Sequence, residues 1–158
     1  MYRVYIETTI PSFYFNSRSD HEAIARCNWT KEWWDNHSHL YEKVTSLAVI
    51  AELEHGNHPN KQEKLNLVSE LPLLSVTDEI REIVSVYIRK KIMPVDPVGD
   101  ALHLAIASFH KCDILLSWNC QNLVNFRKFD RIRRLNAELG LFVPNLLTPL
   151  ELTEDDSI

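Results

Sequence analysis

A chain of 158 residues, 45% apolar and 25% charged, is of a size for one domain with a core of its own. Its longest apolar runs, such as Leu47-Ala48-Val49-Ile50-Ala51 and Ile114-Leu115-Leu116, fall far short of a membrane span, and Met1-Tyr2-Arg3-Val4-Tyr5 enters a strand pattern without signal-peptide architecture. The net charge of −5 argues against nucleic-acid binding by bulk charge, and Cys27, Cys112 and Cys120, odd in number and without close pairing, point to a reducing cytoplasm with neither a disulfide framework nor a zinc site.

Arg3-Val4-Tyr5-Ile6 reads as a short strand ending at Glu7-Thr8-Thr9, and Ile10-Pro11-Ser12 turns the chain into a short helix. Glu7 is then either a site-edge carboxylate at a strand's carboxyl end or a strand-end acid facing solvent. Ser19 to Glu22 has the S-x-x-E form of a capping box, opening a helix to about Asn36. Trp29, Trp33 and Trp34 give that helix an aromatic face, a core or subunit-contact stripe in preference to a base-stacking platform. His37, His39, His55 and His58 lack the spacing of a zinc site and read as surface residues.

Val44-Thr45-Ser46 is a brief strand leading into an apolar helix from Leu47 that Gly56 closes. Glu52 interrupts that helix's apolar part, so it must reach solvent or be met by a cation or donor. A helix follows at about Asn60 to Ser69, then a strand at Pro72-Leu73-Leu74-Ser75-Val76, and Thr77-Asp78 caps an amphipathic helix from Glu79 to about Lys91. Asp96-Pro97 is a favourable helix start, and the run from Ala101 to Phe109 is apolar nearly all round, which marks a buried helix. Asp100, a turn inside that start, serves either the helix dipole or chemistry. Ile114-Leu115-Leu116-Ser117 is a strand closing in the polar turn Ser117-Trp118-Asn119-Cys120-Gln121-Asn122, where helix capping and site roles are both open. Basic helical segments run to Gly140, a last strand is expected near Leu141-Phe142-Val143, and a single domain spans 1–150 with a C-terminal tail at 151–158, frayed over Glu154-Asp155-Asp156-Ser157-Ile158. Arg89-Lys90-Lys91 and the stretch Arg127 to Arg134 are two local basic clusters, each a solvated helix face or a patch for phosphates.

Strands alternating with helices imply a parallel sheet covered on both faces, with ligands bound beyond the carboxyl ends of the strands. Glu7, Asp100 and Asn119 each stand where a strand ends or a helix begins, and Glu52 can join them from its helix. Carboxylates and an amide without a Cys or His set suit a hard cation, Mg²⁺ or Mn²⁺. Without metal these acids would repel one another, raising the pKa of at least one.

At these residues the chain resembles the PIN-domain ribonucleases, of the VapC-like kind found as toxins in toxin–antitoxin pairs. The resemblance rests on Val4-Tyr5-Ile6-Glu7-Thr8-Thr9, on Ala51-Glu52-Leu53-Glu54-His55-Gly56, on Asp100-Ala101-Leu102-His103-Leu104-Ala105-Ile106-Ala107 and on Leu115-Leu116-Ser117-Trp118-Asn119, in the family's order. It implies a three-layer α/β sandwich with a central five-stranded parallel sheet flanked by helices, a homodimer, an RNA substrate, a cognate antitoxin partner and a Mg²⁺- or Mn²⁺-dependent endoribonuclease. By position it makes Glu7, Glu52, Asp100 and Asn119 the catalytic set. Of these, Glu7, Glu52 and Asp100 are the metal ligands, Thr8 or Ser117 positions water or phosphate, and Arg127 and Lys128 hold the RNA backbone. Glu7 stands where the family has Asp and is one methylene longer; Asn119 stands where many members have Asp and brings no charge. Those departures leave a second reading, a catalytically weakened PIN-fold module that binds RNA or protein. A haloacid-dehalogenase-type phosphatase fits poorly, because no D-x-D follows the first strand.

Overall fold

Val4, Tyr5 and Ile6 point alternately to the two faces of a strand, yet all three are fully buried, so the strand that carries them is covered on both sides. That strand, β1 (Arg3–Ile6), is the middle of a five-stranded sheet. The computed structural model describes residues 1–94 and 98–153; the expected helix start at Asp96-Pro97 and the tail from 154 onward lie outside the described residues.

After β1 the chain forms α1 (Thr9–Tyr14), α2 (His21–Asn36), β2 (Glu42–Ser46), α3 (Leu47–Glu54), α4 (Lys61–Val68) and β3 (Leu73–Leu74). It continues through α5 (Asp78–Arg89), α6 (Val98–Phe109), β4 (Ile114–Leu116), α7 (Phe126–Glu138), β5 (Asn145–Leu147) and α8 (Pro149–Thr153). The strand order is β3-β2-β1-β4-β5 and every pairing is parallel. The chain thus winds outward from β1 to β3 on one side and resumes at β4 on the other. This reversal makes the carboxyl ends of β1 and β4 the topological switch point, beyond which sheets of this type bind ligands.

The register sets which residues stand at that point. Ile6 pairs with Leu116, so Glu7 and Ser117 leave the sheet side by side. Helix α6 packs against α5, and its Ala101, Leu104, Ala105, Ile106 and Ala107 are fully buried, as its apolar run requires. A buried polar cluster joins three helices: the Tyr87 hydroxyl of α5 donates to Asn136 Oδ1 of α7 (2.6 Å), and Asn136 Nδ2 donates to Ser108 Oγ of α6 (2.9 Å). Burial pushes the Tyr87 pKa up to about 12, so the phenol keeps its donor proton.

Four local expectations are corrected. The N-cap of α2 is Asp20, whose carboxylate accepts from the Ala23 N–H at 3.2 Å; Ser19 stands one residue outside the helix. The last strand is Asn145–Leu147, not Leu141–Val143. Pairing with β4 requires an N–H, which Asn145 donates to the Asp113 carbonyl (2.9 Å) and Pro144 lacks. Leu141 instead closes α7: with Gly140 at φ 69°, the Leu141 N–H reaches back to the Asn136 carbonyl at 2.8 Å. Helix α8 crosses residue 150 and buries Leu152, so packed chain extends to Thr153. The expected strand at Pro72–Val76 shortens to two residues. Trp33 is buried in the core while Trp29 is partly exposed. The cysteines are free, and among the described residues no helix is long and apolar enough to cross a membrane.

Candidate functional site

Glu7 leaves β1 already held. Its Oε1 accepts from the Thr9 N–H (3.1 Å), the Thr9 hydroxyl (2.5 Å) and the Ser117 hydroxyl (2.7 Å). The residue is only 4% exposed. Burial raises its pKa, against the opposing pull of His103 and of the Thr9 and Ser117 hydrogen bonds. A raised carboxyl pKa was expected from mutual repulsion; desolvation is its main cause. Ser117 Oγ in turn accepts from the Asn119 N–H at 2.9 Å, which fixes the turn after β4.

Asp100, in the first turn of α6 and 6% exposed, meets that turn from the other side. Asn119 Nδ2 donates to Asp100 Oδ1 (2.9 Å) and Asn122 Nδ2 to Oδ2 (2.7 Å). Asn119 Oδ1 accepts from the Asn122 N–H, and Asn122 Oδ1 accepts from Lys128 Nζ at 3.0 Å. Lys128 therefore bears on the acid through an amide. Burial pulls the Lys128 pKa down, with Asp100 opposing and Arg131 assisting. Arg127 is exposed, and its side chain makes no hydrogen bond or ion pair among the described residues.

One helical turn past Asp100, on the same face of α6, stands His103, 1% exposed. Its Nε2 bonds Glu52 Oε1 at 2.5 Å, and its Nδ1 meets the Tyr5 hydroxyl at 2.7 Å, which also contacts Ser46 Oγ at 2.7 Å. A carboxylate only accepts, so Nε2 carries a proton. Burial works against a charged imidazole, but the Glu52 hydrogen bond and the charges of Glu7, Glu52 and Asp100 together raise the His103 pKa. Burial likewise pushes Glu52 up, and the His103 hydrogen bond and charge, helped by Thr8, hold its carboxyl below the usual range. Glu52 keeps 41% of its side chain exposed. Tyr5 stays a phenol, because burial lifts its pKa well above the ordinary value.

Hydrogen bonds thus link Glu7 through Ser117 and Asn119 to Asp100, and separately link Glu52 to His103, which stands one turn from Asp100 on α6. Sequence reasoning passed over His103, Asn122, Thr9 and Tyr5. Of these only His103 carried a local signal, its i+3 position from Asp100.

Fit to a divalent cation rests on donor chemistry and room. The donors are oxygens, as Mg²⁺ and Mn²⁺ prefer. Thr8 Oγ1 is buried beside Glu52, close enough to help hold that carboxyl down, yet makes no hydrogen bond of full geometry. Gly99 keeps space open beside Glu52, since a Cβ there would stand 3.1 Å from Glu52 Oε1. Among the described residues no group of three His, Cys, Asp or Glu side chains forms a ready cluster for an ion. Mg²⁺ does not require one, because it keeps several waters and is commonly bound by one or two carboxylates with substrate phosphate. The residues fit an open, partly hydrated ion and do not fit a closed protein cage.

No family model matches this sequence, and no curated protein matches it. Among solved structures the chain is similar to VapBC2 from Rickettsia felis, solved bound to a DNA fragment from their promoter. The TM-score is 0.56 at 17% identity, covering 92% of this chain and 98% of that one. It is also similar to FitAcB from Neisseria gonorrhoeae, with a TM-score of 0.53 at 13% identity over 92% of this chain and 97% of that one. Identities this low speak for the fold, which is PIN-like: a five-stranded parallel sheet flanked by helices.

Proposed function

We infer that this chain is a metal-dependent endoribonuclease of the PIN kind, the toxin of a toxin–antitoxin pair, hydrolysing RNA phosphodiester bonds with Mg²⁺ or Mn²⁺. The observation that carries the reading is the joining of Glu7 to Asp100 through Ser117 and Asn119 beyond the carboxyl ends of β1 and β4, with Glu52 held by His103 one turn along α6. Asp100 and Glu7 would hold the ion, with Glu52 beside it. When bound, the ion supplies Lewis-acid polarisation of a phosphoryl oxygen and a more acidic water.

The chain's own residues do the positioning. Thr9 and Ser117 fix the Glu7 carboxyl, Asn119 and Asn122 fix Asp100, and His103 fixes Glu52, so the acids are oriented before substrate arrives. Ser117 already donates its hydroxyl proton to Glu7, whereas the Thr8 hydroxyl lies beside Glu52 without a well-formed hydrogen bond. Thr8 is therefore the better donor to a water or phosphate oxygen. Lys128 stands at the rim for the RNA backbone. The antitoxin and a homodimer rest on the family resemblance.

A second reading, a PIN-fold module that binds RNA or protein without cleaving it, is favoured by one observation: every acid is already met by a protein donor, and Asn119 adds no charge. Incubation of the full chain with structured RNA in millimolar Mg²⁺ or Mn²⁺, and in EDTA, separates the two. Expected are cleavage that EDTA stops and that Asp100→Asn loses, and a melting temperature that rises with the ion. Cleavage undiminished in Asp100→Asn would remove Asp100 from the role, and no cleavage with no thermal shift would leave the binding module.

A further inference from the structure

The two basic clusters, far apart along the chain, meet at the site's margin. Arg131 of α7 lays its guanidinium on the end of α5, with Nη2 at 3.4 Å from the Lys90 carbonyl and 3.3 Å from that of Lys91. Lys91 is held at φ 58°, a left-handed position that glycine would occupy without cost, and its side chain is exposed. Two grooves run along this seam. One, of about 410 Å³, is lined by Asn122, Lys128, Lys91 and Met93 among others. The other, of about 270 Å³, is lined by Lys90, Arg131 and Arg134, and Ile92 belongs to both. The first includes Asn122, one of the two residues that donate to Asp100. Neither groove includes the three acids themselves, and the groove lined by Phe126, Phe129 and Leu147 also lacks any described residue bonded to one of them.

A strip that starts at Asp100 and leads away over Lys128, Lys91, Arg131, Lys90 and Arg134 concentrates cations on a chain whose net charge is −5. Two acids temper it: Glu138 lines the second groove, and Asp130 pairs with Arg134 (3.0 Å). No carboxylate pairs with Lys90, Lys91, Lys128 or Arg131 among the described residues. Between the cations the first groove is lined by half-buried Ile88 and Pro94 over the buried Ile92 and Met93, which gives it an apolar floor. Cations over an apolar floor suit a single strand, whose phosphates take the charges while sugars and bases cover the floor.

We propose that this strip is the track on which a single-stranded RNA backbone lies as it enters the acidic cup, with Lys91 and Arg134 as phosphate-binding residues beyond the rim. The inference rests on the reading that the cup acts on RNA, and its test separates the two. Anisotropy of a labelled single-stranded RNA is followed in EDTA, over a range of salt, with the full chain and with Lys91→Gln/Arg134→Gln. Lys31→Gln/Lys61→Gln, remote from the strip, carries the same charge change as a control. For a single strand the salt slope drops by about 0.7 per lost phosphate contact, so the track variant is expected to lose about 1.4 in slope. It is also expected to bind at least tenfold more weakly, with the control unchanged. With cleavage as readout, the track variant raises KM and leaves kcat near its original value. RNA affinity and slope equal in the track variant and the original chain would overturn the track even if cleavage proceeds normally. Weakened binding in the track variant of a chain that cleaves nothing would sustain the track and end the nuclease reading.

Discussion

Asp100→Asn preserves shape and alters hydrogen-bond polarity. Both Asp100 oxygens accept from amide nitrogens, Asn119 Nδ2 at 2.9 Å and Asn122 Nδ2 at 2.7 Å. An asparagine there turns one acceptor into a donor, and rotating it by half a turn only moves the conflict from one neighbour to the other. Flipping Asn119 sacrifices its bond from the Asn122 N–H, and flipping Asn122 sacrifices its bond from Lys128. Every arrangement leaves a donor facing a donor. A bond broken in a buried setting costs about 1–3 kcal/mol. Loss of a negative charge would relieve repulsion among the acids, but the charge acting most on Glu7 and Glu52 is that of His103, which Asp100 also stabilises. The net expectation is about 2 kcal/mol of lost stability, a fall of about 4–8 °C in Tm for a domain of this size. The exchange Asp100→Asn/Asn122→Asp restores every donor to an acceptor and gives Lys128 a carboxylate partner. It should recover at least half of the loss in urea unfolding while cleavage stays absent. Equal stability of Asp100→Asn and the original chain, or no recovery in the exchanged pair, would refute this account of the amide clamp.

His103→Ala removes a buried ring and both of its hydrogen bonds, and should cost about 2–4 kcal/mol in urea unfolding. Because the folded pKa of His103 is raised from 6.5, its contribution is complete below that pH and is lost as pH rises through the folded value. In EDTA the stability gap between the original chain and His103→Gln should therefore narrow above pH 6.5; a constant gap from pH 5 to 9 would contradict it. Gly99→Ala sets a methyl 3.1 Å from Glu52 Oε1 at the second position of α6, where the gain in helix propensity is smaller than the ~1 kcal/mol of a helix interior. Its stability should stay within about 1 kcal/mol while RNA cleavage falls at least tenfold, and full activity would show that the space beside Glu52 is not used.

Much of the fold is legible because secondary structure is written locally. The strand Arg3–Ile6 and the helices over 47–54, 61–68 and 78–89 fall close to where periodicity and caps place them. Local signals failed where two of them competed. Asp20 and Ser19 both suit an N-cap, and the choice goes to the residue whose carboxylate reaches the Ala23 N–H. The run Leu141–Val143 has the composition of a strand, yet the chain end of α7 takes Leu141 for its own closure, and the pairing begins beyond Pro144.

For the candidate site the division is sharper. Residue type and order alone determined that carboxylates stand at Glu7, Glu52 and Asp100, at a strand end, in a helix and at a helix start, because those features depend on neighbours a few positions away. Only the tertiary structure decided what each acid faces: His103 lies 51 residues from Glu52, and Ser117 lies 110 residues from Glu7. Such partners follow from strand order and helix packing, which sum contacts over the whole chain, so no local pattern encodes them. The joining of Lys90 and Lys91 to Arg131 was decided in the same way, by where α5 ends against α7.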